Sequence, residues 1–167
     1  MILAIDPGCT ESAYVVLDNN LKPIEFAKVK NELLLGFLYG DRFRAHKVNN
    51  FAIEMVACYG MPVGKEVFDT CTWIGRFYEV ISMDYCNDPT LIYRKDEKMN
   101  LCGTMKAKDS NIIQALVDRF AYNIPNKGKG TKNNPGWFYG FSKDIWQSYA
   151  VGVTYHDLYI KGVNANE

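Results

Sequence analysis

Met1-Ile2-Leu3-Ala4-Ile5-Asp6-Pro7-Gly8 opens the chain with an apolar run that ends on one carboxylate and is stopped at once by Pro-Gly. A short apolar run bounded by breakers predicts a buried strand, with Asp6 fixed at its end. Ala13-Tyr14-Val15-Val16-Leu17, closed by Asp18-Asn19-Asn20, predicts the second arm of an antiparallel hairpin. Asp6 then faces the mouth of a cleft. An Asp before Pro-Gly is also an ordinary turn former, bonded to its own backbone. Its chemical meaning therefore depends on other acids.

Working outward, Ile24–Val29 alternates apolar and polar residues as an edge strand does, and Leu33, Leu34, Phe37 and Leu38 predict a short amphipathic helix ending near Gly40. Arg42, Arg44, His46 and Lys47 form a basic link expected at the surface. Phe51–Ala57 predicts a further strand in which Glu54 is the only charged residue. An ionised group buried without a partner costs several kcal/mol, so Glu54 must be protonated, paired or bound to a cation. The loop 58–64 displays Tyr59 and Met61 beside that strand end.

Residues 65–85 carry apolar positions every three or four residues, with a second flank of Phe68, Trp73 and Phe77. That width suits either self-association or burial between sheet and helix. Leu91–Tyr93 predicts the last strand, and Arg94, Lys95 and Lys98 open a basic segment. Lys106 and Lys108 precede a helix over Ile112–Phe120, with Asp109 or Ser110 as its cap, where a phosphate would be welcome. The loop 124–141 combines Lys127, Lys129 and Lys132 with four aromatics, a combination suited to phosphates and unpaired bases unless the aromatics belong to the core. A final helix from Ser142 to about Ile160 puts Asp144, Gln147, Ser148, Val151 and Tyr155 on one face.

The 167 residues predict a single domain, and the zero formal charge conceals a gradient. Residues 91–132 hold nine Lys/Arg against four Asp/Glu, a net +5 on an otherwise acidic chain, which points to contact with a polyanion. Five scattered cysteines and two distant histidines argue against a structural zinc site and for reduced thiols. No apolar run reaches the roughly 20 residues of a membrane helix, and no signal peptide is recognisable. A cytoplasmic location is expected.

Asp6, Glu54 and Asp144 thus share one profile, and a mixed sheet with the last helix packed on one face would bring them together around Mg²⁺ or Mn²⁺. In order and spacing the chain resembles the RuvC-like Holliday junction resolvases of the RNase H-like superfamily. Ala4-Ile5-Asp6-Pro7-Gly8 is similar to the family's opening motif, Ala52-Ile53-Glu54 to its second, and Lys143-Asp144 with Ala150–His156 to its last helix. The resemblance implies an α/β, RNase H-like fold with a five-stranded mixed sheet flanked by helices, and a homodimer cutting branched DNA by two-metal hydrolysis. It implies catalytic roles for Asp6, Glu54, Asp144 and Gln147, and a metal held by the three acids. DNA contacts are expected at Arg94, Lys95, Lys98, Lys106, Lys108, Lys127, Lys129 and Lys132, with Tyr59 or Met61 as the wedge at the junction. One departure stands out, because the family's last helix carries a second acid where this chain has Gln147. The small size and divergent sequence suggest a phage-encoded member working in the host cytoplasm. Alternatives of the same fold are a flap- or fork-cleaving nuclease and a branched-DNA-binding module with weak catalysis. The Asp-x-Gly start also occurs in actin-like and sugar-kinase ATPases, but the chain is too short for their duplicated domain.

Overall fold

A computed structural model describes residues 1–58, 60 and 62–161. Strand β1 (Ile2–Asp6) pairs antiparallel with β2 (Glu11–Leu17), which pairs antiparallel with β3 (Pro23–Lys30). The chain then crosses through α1 (Asn31–Tyr39) and α2 (Arg42–Ala45) to β4 (Asn50–Met55), which lies parallel to β1. After α3 (Lys65–Tyr85), β5 (Thr90–Tyr93) pairs parallel with β4, and the sheet order is β3-β2-β1-β4-β5. The expected five-stranded mixed sheet, with its first three strands antiparallel, is present.

Strand alternation divides the core into two halves. Leu3, Ile5, Tyr14, Val16, Phe51 and Ile53 face α1 and α3, while Ile2, Ala4, Ala13, Val15, Leu17 and Ala52 face the C-terminal helix α6 (Lys143–Tyr155). Gly152 lets α6 lie close to the sheet: a Cβ there would come within 2.6 Å of Leu17 Cδ1 and 3.1 Å of the Ala4 Cβ. A short π-helical turn, His156–Lys161, continues α6.

Several expectations change. Arg94–Cys102 forms a helix, α4, directly after β5, where the sequence reads only as a basic segment with few apolar positions. Helix α5 (Asp109–Phe120) is capped by Lys108 rather than by Asp109 or Ser110, and the Asn111 side chain accepts from the Lys108 backbone N–H at 2.9 Å. Phe77 belongs to the core beneath α3, whereas Phe68 on the same helix is 62% exposed. The basic link 42–47 is not simply surface: Arg42 and His46 both reach Glu25 Oε atoms, at 2.7 and 2.8 Å, and Tyr14 donates to the same carboxylate. In the loop 124–141 three of the four aromatics are consumed by packing, and Tyr139 stays 41% exposed. Phe138 and Phe141 are buried against Trp146 and Tyr149, and Trp137 stacks on Phe120 while its indole N–H donates to the Tyr149 hydroxyl. Bases have no claim on those planes. Among the described residues no helix is long and apolar enough to cross a membrane.

Candidate active site

Side-chain alternation alone sets Asp6 and Glu54 side by side. Ala4 pairs with Ala52 and Ile5 with Ile53, so Asp6 and Glu54 are the next residues along two adjacent parallel strands, both turned to the α6 face. Their carboxyl groups are hydrogen-bonded to each other. Two carboxylates in contact cannot both ionise freely, so a proton or a cation must sit between them. Burial, the charge of Glu54 and the hydrogen bond to it push the Asp6 carboxyl up to about 8, with Asp144 adding to the rise and Arg94 opposing it. Burial likewise raises Glu54, against the pull of Arg94.

Asp144 enters from the first turn of α6. It lines, with Asp6, Pro7, Gly8, Glu11 and Lys28, a polar cleft of about 200 Å³. Asp6 thus meets Glu54 across the paired strands and shares this cleft with Asp144, while Glu54 itself lines the neighbouring pocket beside Arg94. Gln147, one helical turn after Asp144, is half-buried.

The turn that presents Asp6 is held from behind. Gly8 N–H donates to Ser12 Oγ, Ser12 Oγ–H donates to Asn31 Oδ1, and Asn31 Nδ2 returns a bond to the Gly8 carbonyl at 2.9 Å. Ser12 and Asn31 are fully buried, so this staple is dry. Gly8 is required there, since a Cβ would lie 2.4 Å from the Glu11 carbonyl oxygen.

Two features escaped the sequence reading. Lys28, on β3, approaches Asp144 Oδ2 at 3.0 Å and Glu11 Oε2 at 3.6 Å. The alternating pattern of β3 was legible, but nothing in it marked this lysine. Second, Arg94 does not stand out toward solvent as the head of a phosphate track. It forks between Glu97 at 2.5 Å and Asp109 at 2.6 Å and lies close enough to Glu54 and Asp6 to act on both. Glu97 is completely buried, one of its oxygens has no hydrogen-bond partner among the described residues, and burial with the charge of Glu54 pushes it up to about 9 despite Arg94. Glu97 reads in the sequence as one more charge in a polar stretch.

The remaining candidates are placed as follows. Lys95, Lys106, Lys108, Lys127 and Lys132 are exposed and Lys98 half-buried, whereas Lys129 donates to the Phe141 carbonyl at 2.7 Å and so ties down its own loop. Tyr59 and Met61 lie outside the described residues.

The donor set suits a hard divalent cation: carboxylate oxygens at the ends of rigid elements, two of them pressed together and short of positive charge. With Asp144 drawn to Lys28, no three such side chains are gathered as a ready-made ion site among the described residues.

No protein-family model matches the sequence, and no curated protein does. The structure is similar to RuvC of Thermus thermophilus in complex with a Holliday junction substrate, with a TM-score of 0.64 at 14% identity over 96% of this chain and 95% of that one. A second T. thermophilus RuvC structure gives 0.65 at 14% identity, covering 97% and 96%. The Fowlpox virus resolvase in complex with Holliday junction DNA gives 0.53 at 13% identity, covering 95% and 99%.

Proposed function

The fold is RuvC-like, of the RNase H-like kind, and on it we propose a divalent-metal-dependent endonuclease that cuts branched DNA, four-way junctions first. The observation that carries this reading is the Asp6–Glu54 carboxyl pair, whose Asp6 member shares one cleft with Asp144. Asp6, Glu54 and Asp144 would hold Mg²⁺ or Mn²⁺, with Gln147 able to offer an amide oxygen. Bound there, such ions activate a water and stabilise the leaving oxygen of a phosphodiester. The protein's own contribution is to keep the carboxylates fixed on strand and helix ends and, through Arg94, to limit the repulsion among Asp6, Glu54 and Glu97. The exposed lysines at positions 95, 106, 108, 127 and 132 supply a sequence-independent track for the DNA backbone. A two-fold substrate calls for a two-fold enzyme, and the exposed Phe68 flank of α3 supports a homodimer. Small size and a divergent sequence support a phage-encoded member acting in the host cytoplasm.

Gln147 favours one second reading, a junction-binding module that cuts poorly. Purified protein is given labelled four-way junctions, flaps, forks and Y-structures in Mg²⁺ or Mn²⁺, beside Asp6→Asn. The expected result is paired symmetric nicks on the four-way junction, falling about a hundredfold or more in the variant. Equal cutting by both proteins removes the enzyme reading, and tight binding without cutting by either leaves the binding module.

A further inference from the structure

Lys28 stands in the same row of the sheet as Asp6. Asp6 pairs with Ala13 and Ala13 with Lys28, so all three project from one face, with only a methyl group between the acid and the amine. Among the residues lining the cleft, Lys28 is the one cation. Its Nζ lies 3.0 Å from Asp144 Oδ2, an oxygen that a divalent ion shared with Asp6 would need. Glu11 adds a second carboxylate at 3.6 Å, and the Gly8 turn fixes where Glu11 begins. The ammonium is thus seated at Asp144 in the unloaded protein.

We propose that Lys28 is a positioning residue that acts through Asp144: it holds the third carboxylate in place as a tethered cation and has to be displaced when the divalent ion binds. The inference rests on the metal-dependent reading above. Its consequence is that the lysine weakens ion binding by competing for the oxygen and by adding like charge next to the ion. An exposed ion pair is worth little and a like charge a few ångströms away is partly screened, so the effect is moderate.

The test is Mn²⁺ binding, read by the paramagnetic resonance of free Mn²⁺ without DNA. Lys28→Ala is expected to bind Mn²⁺ roughly fivefold more tightly at low salt, with the gain shrinking as salt rises. Lys28→Arg should bind like the parent protein. Lys22→Ala, which removes the same charge at the far end of β2 and β3, should also leave affinity unchanged. In an Asp144→Asn background the gain from Lys28→Ala should shrink to the part owed to like charge alone, the signature of action through that residue. Unchanged or weaker Mn²⁺ binding by Lys28→Ala overturns the proposal, as does an equal gain in the Asp144→Asn background. If the parent binds Mn²⁺ and Asp6→Asn does not, that failure belongs to the Lys28 inference alone. If the parent binds no Mn²⁺, the metal-dependent function falls with it.

Discussion

Asp6 and Glu54, on neighbouring parallel strands, turn their carboxyl groups into one shared hydrogen bond. The Asp6 carboxyl is raised from 3.8 to about 8, chiefly by burial. A group that holds its proton more tightly when folded stabilises the fold below its unfolded value and loses that contribution as pH rises through the folded one. The metal-free protein should therefore lose stability between about pH 4 and about pH 8, and Asp6→Asn, which cannot ionise, should escape the loss. Thermal melts in chelator are expected to show the variant more stable by on the order of 2 kcal/mol at pH 8, the gap closing toward pH 4. A pH-independent gap would show that the pair carries no such strain.

Gln147 sits one turn beyond Asp144 on α6. An amide lends an oxygen without charge, so Gln147→Asp should tighten Mn²⁺ binding by about tenfold and raise the cleavage rate. Calorimetric titration and single-turnover cleavage measure the two effects. If affinity, rate and substrate range all stay the same, the residue has no part in holding an ion.

Gly8 and Gly75 make a matched pair for testing the turn that presents Asp6. Gly8→Ala would drive a Cβ to 2.4 Å from the Glu11 carbonyl oxygen, while Gly75, in α3, has nothing within 4 Å of the corresponding position. Denaturant titrations are expected to show Gly8→Ala destabilised by about 1–3 kcal/mol, with weaker Mn²⁺ binding. Gly75→Ala should gain up to about 1 kcal/mol and leave the ion untouched. Equal behaviour of the two would mean that the turn relaxes freely.

The lysines should separate by what they touch. Lys106→Ala and Lys108→Ala each remove an exposed charge and should lower the slope of log affinity against log salt by about one, with melting unchanged. Lys129 donates to the Phe141 carbonyl, so Lys129→Ala should lower the melting temperature, with a smaller effect on the slope. Junction binding that ignores salt would remove the track altogether.

Much of the architecture was legible because it rests on local patterns. Short apolar runs in residues 2–6, 11–17 and 50–55 and three- to four-residue spacing in 65–85 specify elements whose apolar faces leave few ways to pack. Asp6 and Glu54 could be read because one ends and the other interrupts an apolar element, where a charge needs a reason, and Asp144 because it heads a helix. Helix α4 could not, since Arg94-Lys95-Asp96-Glu97-Lys98 has no apolar stripe and is held by its ends: Asp96 accepts from the Tyr93 N–H, and Gly103 closes it in the left-handed region. Glu97 and Arg94 look like solvated charges in such a stretch and became internal only when α4 folded against α5 and α6. Trp137, Phe138 and Phe141 misled for the opposite reason, because a segment rich in breakers turned inward and packed these rings against α6 and its neighbours.

Ala13, between Asp6 and Lys28 in their common row, has no chemistry of its own, yet its methyl group forms part of the cleft wall. Its smallness sets the gauge of the passage. A valine or leucine there would lift the floor between acid and amine, so the calibre of what can enter is governed from the second strand, one residue removed from every group that does the work.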